Sequence, residues 1–348
     1  MPINYEVINP NTDVATTKTL LHEVIPLTGT IVSGTYGTFP NDDNIKNYSH
    51  GMFQSVYDYP YLSSSANHIF DISVGFDESS PLSGSTNAVQ EKKKINMYNQ
   101  FSQVMLGYTG SANRVRLFES DLQLDESAAD VMKEVVFVNL SRLLTKDQIK
   151  KGSMSLTVGT ASWAAPFSGT KTFTDSAATN NGGTLSTAGG DYGVLSSSAA
   201  GVGGIVFYQA GVMVLTSSIW AGTTDFFSQS ATARTFDQQL VSGSISGSAD
   251  ALRHRLKNLQ FNNTTEINSS VYFCRASHNK FNYSSNPTYL NSSAIRVKNQ
   301  NRDNPPVSYI TTIGLYNSQN ELLAVAKLSE PLKKDPTNEL TLRVRLDY

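Results

Sequence analysis

The sequence predicts a mainly β fold (α+β), an antiparallel β-sandwich-like scaffold with a few helices and a small inserted β domain. Three observations predict it. The C-terminal stretch Ser308–Tyr348 holds three strand patterns separated by two turns. Residues 89–106 carry the clearest helical stripe. Residues 152–247 form a glycine-, serine- and threonine-rich block with few charges, bounded by strong strand patterns. In the final run Leu340, Leu342, Val344 and Leu346 alternate with Thr341, Arg343, Arg345 and Asp347, the period of a strand with one buried and one wet face.

Taken in order, residues 1–85 predict short strands and long ordered loops. Strand-like runs at Leu20–Leu27 and Ile69–Val74 are broken by Gly29, Gly34, Gly37 and Pro40. In 89–106, Ile95, Tyr98, Phe101 and Met105 recur at three- and four-residue steps, which places one apolar stripe on a helix. Asn87 with Gln90 suits its N-terminus and Gly107 its stop. A shorter helix is expected over Asp125–Lys133, then a strand over Glu134–Leu140. There Val135, Phe137 and Asn139 oppose Val136, Val138 and Leu140, so both faces are largely apolar and the strand should be central.

Met154, Leu156 and Val158 alternate at one end of the 152–247 block, and IVFYQAGVMVLT (Ile205–Thr216) closes its other half. Between them, 179–204 predicts a long hairpin or ordered loop. Ser248 as an N-cap before Leu252, Leu256 and Leu259 predicts a short helix, and strand character resumes at Ile267–Ser277. Asn317–Asn320 suits a turn joining Tyr309–Tyr316 to Leu322–Leu328.

At 348 residues the chain exceeds the roughly 250–300 that one core supports. Residues 1–151 and 248–348 are expected to form one β-rich scaffold, with 152–247 inserted. Charged residues are 16% and the net charge is −2, which supplies no basic field for nucleic acid. No apolar run reaches the roughly 18–20 residues of a membrane span. The single cysteine, Cys274, excludes an internal disulfide, and MPINYEVINPNTD has neither a basic nor an apolar leader region. The expectation is a chain made and kept in a reducing cytoplasm.

Catalytic, cofactor and metal-ligating residues are not predicted at any position. His22, His50, His68, His254 and His278 are scattered without H-x-H or HExxH spacing. His254, between Arg253 and Arg255, suits a solvated helix face, and Cys274 suits a small buried hydrophobe. Gly201-Val202-Gly203-Gly204 precedes a strand where a phosphate loop must open a helix. Gly243–Gly247 reads GSISG, with isoleucine in the nucleophile position of the elbow motif. The adjacent acids Asp42 and Asp43, and Asp77 and Glu78, suit solvated turns. In Phe53, Ser55, Tyr57, Tyr59 and Tyr61, four aromatics share one parity. That pattern suits a packed sheet or subunit interface first and a sugar-stacking platform second.

Four stretches together resemble structural proteins of tailed bacteriophage virions, especially contractile-tailed phages of marine cyanobacteria. They are SHGMFQSVYDYPYLSSSANHIFDISVGFDESSPLSGSTN (49–87), VVFVNLSRLLTKDQIKKGSMSLTVG (135–159), VYFCRASHNKFNYSSNPTY (271–289) and SYITTIGLYNSQNELLAVAKLSEPLKKD (308–335). The resemblance implies a non-enzymatic structural subunit of the virion, in tail, baseplate or neck, assembled in the host cytoplasm. It implies many copies in a symmetric homo-oligomeric array, other virion proteins as partners and no cofactor. It assigns no functional residue. The alternative is a surface-exposed receptor- or glycan-binding or capsid-decoration protein with a host glycan as partner, acting through Phe53–Tyr61 or through 152–247.

Overall fold

Strand Glu134–Leu140 sits where its two apolar faces require. In the computed structural model Val136, Val138 and Leu140 join one core and Val135 and Phe137 a second, all at most 3% exposed. The structure describes residues 5–26, 42–84, 88–109, 114–229, 232–283, 290–291, 294–295, 303 and 307–348. It is mainly β, as the sequence predicts. Its contacts divide the chain into two units, Leu21–Thr265 and Met1–Leu20 with Glu266–Tyr348.

The labelled strands are β1 (Val14–Pro26), β2 (Ile45–Asn47), β3 (Gln54–Tyr57), β4 (His68–Phe76), β5 (Glu134–Leu140), β6 (Ser155–Gly159), β7 (Thr170–Thr174), β8 (Gly190–Ser197), β9 (Gly201–Phe207), β10 (Val212–Thr216), β11 (Leu256–Ala276), β12 (Ser308–Tyr316), β13 (Leu322–Lys334) and β14 (Leu340–Asp347). The helices are α1 (Ala88–Met105), α2 (Arg142–Thr145), α3 (Phe236–Ser242) and α4 (Ile245–Arg253). In the Leu21–Thr265 unit the strands run antiparallel in the order β11, β6, β7, β8, β9, β10, β5, β4, β3, β2, where β11 contributes its first part.

This order corrects the expected inserted domain. Residues 152–247 do not fold apart, because β10 pairs with β5 along five positions, Val212↔Asn139 to Thr216↔Val135, and β6 pairs with β11. An apolar strand buried on both faces needs a neighbour at each edge, and β10 supplies one of them. Met154, Leu156 and Val158 are at most 1% exposed, as their alternation predicts.

Helix α1 covers the face of β4 opposite α4. Gly75 on β4 permits the contact, since a Cβ there would lie 2.8 Å from the Lys94 carbonyl oxygen and 2.9 Å from the Tyr98 nitrogen. The buried stripe includes Tyr98 and Met105 as expected, and Lys94 as well. Gly107, at φ +85°, ends the helix, with its N–H on the Ser102 carbonyl. The expected cap Asn87 lies outside the described residues, as do Gly29, Gly34, Gly37 and Pro40.

Two further expectations are corrected. Asp125–Lys133 is a turn followed by the short strand Val131–Met132, because Glu126 takes φ +58° and the Asp125 carboxylate accepts the Ser127 N–H, both incompatible with a continuing helix. The helix expected after Gly247 begins at Ile245 with Ser244 as its cap, and Leu256 and Leu259 lie on β11.

In the other unit, Phe273 of β11 donates its N–H to Asp13, and β11 pairs on its other side with β14 from Ser269↔Asp347 to Ala276↔Leu340. The C-terminal hairpin forms as predicted. Strands β12 and β13 pair across a turn in which Asn320 takes φ +64° and the Asn317 side chain accepts the Gln319 and Glu321 N–H groups. Among the described residues no helix is long and apolar enough to cross a membrane.

Gly75→Ala is expected to destabilise the chain by about 1–3 kcal/mol through overpacking against α1. The check is a lowered chemical-denaturation midpoint at unchanged slope.

Candidate functional site

A row of polar side chains crosses the outer strands of the larger unit. Lys46 on β2 pairs with Ser55 on β3, Ser55 with Asp71 on β4, and Asp71 with Asn139 on β5. Side chains of paired residues share a face. Further along the same face, Gly75 and Phe137 are covered by α1, so the row marks where that cover ends.

Rings flank the row. Tyr48 lies 5.2 Å from His50 with the planes within 10°, and 4.7 Å from Phe53; Tyr57 lies 5.5 Å from His68 and 6.4 Å from Tyr61. The two groups meet at the neighbouring Tyr48 and Tyr57 phenols. Burial, then the adjacent Tyr48, pushes the Tyr57 phenol up. Lys46 Nζ sits 4.9 Å over the Tyr48 ring.

Hydrogen bonds fix the floor. The Asp71 Oδ1 accepts the Ser55 hydroxyl at 2.5 Å and lies 2.8 Å from His68 Nε2, which must donate because a carboxylate only accepts. Tyr48 OH lies 3.2 Å from Ser55 Oγ. The order is serine, aspartate, histidine, with the carboxylate in the middle. A hydrolytic triad needs the imidazole between the other two, so His68 is not placed to take the Ser55 proton.

The surroundings hold this surface from both sides. Gln54, the neighbour of Ser55 on the opposite face, donates to Asp250 of α4 at 2.8 Å, and Val56 enters the core. Lys93 of α1 donates to the His50 carbonyl at 2.7 Å. The loop carrying Tyr59 and Tyr61 is closed by Asp58, which accepts the Asn67 N–H and side-chain amide, and by Asn44 donating to the Tyr57 and Asp58 carbonyls.

The expected aromatic run is therefore not core. Tyr59 and Tyr61 are 38% and 36% exposed, and Phe53 and Tyr57 are half-buried. Signals for the associated residues were present only in part. The parity of Phe53–Tyr61 pointed to the strip, whereas Tyr48, His68 and Asp71 reach it through strand register.

The other candidates are dispersed. His22 contacts Thr264, His254 stacks on Trp163 at 4.3 Å, and His278 lies beside Glu339. His254 is thus half-buried against a ring where a solvated face was expected. Cys274 is a free, half-buried thiol, and burial raises it away from the thiolate. Gly243 caps α3 and Ser244 caps α4, and Gly201 and Gly204 belong to β9. Asp77 accepts the Ser79 N–H in a turn, and the Asp42 side chain lies outside the described residues. Among the described residues no three His, Cys, Asp or Glu side chains converge as metal ligands.

Several buried ionisable groups escaped sequence reasoning, Arg255, Lys94 and Glu119 among them. Arg255, fully buried, donates to the carbonyls of Ala161, Asp225 and Phe226, and burial lowers it to about 10. Lys94 donates to the carbonyls of Leu240 and Gly243 at the end of α3, and burial lowers it to about 8. Glu119 is 1% exposed; its Oε1 accepts the Glu126 N–H while its Oε2 has no partner, and burial raises it to about 7, against that hydrogen bond. Long cationic stems in apolar surroundings leave no local pattern in a sequence.

No family model, curated protein or solved structure matches the chain.

Because Glu119 holds its proton more tightly when folded, the folded state gains most below the ordinary carboxylate range, and that gain is lost as pH rises to about 7. Glu119→Gln, which keeps the acceptor for Glu126, is expected to flatten this fall. Thermal unfolding at pH 5 and pH 8 checks it, with the variant more stable than wild type only at the higher pH.

Proposed function

We propose that the chain is a non-enzymatic structural subunit that works through contacts with other subunits, and, given the resemblance of its sequence blocks, a subunit of a tailed-phage virion in tail, baseplate or neck. The observation that supports this reading most directly is the C-terminal hairpin. Tyr309, Leu323 and Val325 are 61%, 67% and 50% exposed, and Tyr316 and Leu322 are exposed beside them. Among the described residues β12 and β13 pair only with each other, so each leaves an open edge.

A lone two-stranded hairpin is marginal in water, and an open apolar strand edge is a template for another chain. The unit that bears it is equally poor in core. Neither apolar core includes a described residue from Met1–Leu20 or Glu266–Tyr348, and the buried apolar residues there are Val271, Ala276, Leu315 and Val344. Covering Leu323 and Val325 would contribute about 1.5–3 kcal/mol each, more than most exposed ion pairs supply. Charges of both signs are interspersed on β13, with Lys327, Glu330 and Lys333, and on β14, with Arg343, Arg345 and Asp347, so a copy of the same surface is not repelled.

The expected outcome is that purified chain sediments as an oligomer and that Leu323→Glu with Val325→Lys sediments as a monomer. Both residues are exposed, so the unfolding free energy should change by no more than about 0.5 kcal/mol. A wild-type chain that stays monomeric at its highest soluble concentration and does not join virion components would remove the support for this reading.

A further inference from the structure

The geometry points to a second role for the chain, carried by the other unit: the aromatic strip along β2, β3 and β4 is a binding platform for a saccharide chain. Three features of the surface select this ligand class. The first is where the rings lie. The aromatic sets around Phe137 and around Trp220 are buried, with Tyr98, Phe118, Phe137, Trp220, Phe226 and Phe236 at most 4% exposed. The strip differs, since Tyr59 and Tyr61 stand out and Tyr48, Phe53 and Tyr57 keep part of their surface in solvent. Amphipathic rings at a rigid edge offer flat apolar faces with polar rims, which suits the alternating C–H and O–H faces of a sugar ring.

The second feature is the polar row between the rings. Asp71 Oδ1 is saturated by Ser55 and His68, whereas its Oδ2 carries no hydrogen bond among the described residues and the side chain is 23% exposed. A carboxylate held this way accepts from a hydroxyl at the cost of little side-chain entropy. The Tyr61 hydroxyl and the Lys46 ammonium lie within the same strip. A protein partner would sooner meet a surface whose central part is apolar and whose charges are at the rim. Here the arrangement is inverted, with the aspartate at the centre and the rings outside.

The third feature is rigidity. Gln54 to Asp250, Lys93 to the His50 carbonyl and Asp58 to Asn67 tie the strand, the approach loop and the exit loop to the body of the unit. A preorganised surface binds a flexible chain without ordering itself.

The test is a nuclear magnetic resonance titration of the full chain with two soluble probes, maltoheptaose and cellohexaose. The expected result is saturable shifts with at least one of them, weakened about tenfold or more by Tyr61→Ala and by Asp71→Asn, and unchanged by Tyr316→Ala on the C-terminal hairpin. Tyr57→Phe, which keeps the ring and removes only the hydroxyl, serves in case Asp71→Asn fails to fold. The absence of saturable shifts with both probes would overturn the proposal. So would binding that survives Tyr61→Ala and the folded second variant together, or a change of sedimentation with Tyr61→Ala, which would mark the strip as a contact between protein chains.

Discussion

The demand of β5 for apolar cover on both faces and a partner at both edges organises the larger unit. Of its seven residues only Glu134 and Asn139 keep part of their surface in water. Parallel or antiparallel, a strand of this kind is stable only deep inside a sheet, because each unpaired backbone group there costs as much as a lost hydrogen bond. β4 meets one edge from before it in sequence and β10 meets the other from some seventy residues after it. The polypeptide between β5 and β10 is thereby committed to the same sheet. Its glycine-rich composition reflects close approach rather than independence: a Cβ at Gly204 would sit 2.1 Å from the Val214 carbonyl oxygen, and one at Gly203 would enter the Phe173 ring.

Packing loops and helix ends against so large a sheet takes their carbonyl groups out of water. Arg255 and Lys94 answer this with long stems and several donors, each ending on backbone oxygens. Arginine suits the case where three segments converge, since its fork reaches the 161 and 225–226 loops at once. Lysine suits the end of α3, where the helix carbonyls concentrate partial negative charge. A carboxylate partner would add a second ion to be desolvated, and the backbone dipoles avoid that term.

What the sequence made legible was periodicity. β5, α1 and β6 follow from steps of two or of three and four residues and stand within a residue or two of their expected limits; the terminal hairpin follows as well, with its second strand running on to Lys334, past the expected Leu328. Helix α3 was not expected, although the capping box of Thr235 and Gln238, whose reciprocal hydrogen bonds both form, was a local signal for it. The Asp125–Lys133 helix failed because a side-chain bond from Asp125 outcompeted a weak apolar pattern. The division into units failed for another reason: sheet order joins residues far apart, and composition shifts carry no information about pairing. For the candidate site, parity revealed the ring-bearing strand, and only register revealed that Ser55, Asp71 and Asn139 form one row.

The two surfaces left open by the fold differ in kind, and the difference follows from the strands that carry them. At the hairpin, alternation is preserved while no second layer covers the exposed apolar side chains, so Leu323 and Val325 face water through lack of a partner element. At the aromatic strip the second layer exists and stops. α1 covers β4 as far as Gly75, and Ser73 turns its hydroxyl to the Met52 carbonyl. From Asp71 outward the face becomes polar before it becomes aromatic. Water is accommodated at the strip by its own hydroxyls and carboxylate, which makes that surface stable when empty. It is not accommodated at the hairpin, whose uncovered leucine and valine would gain from burial. Under the two proposed roles, the strip would make a reversible contact with a hydrated ligand and the hairpin a lasting contact with protein.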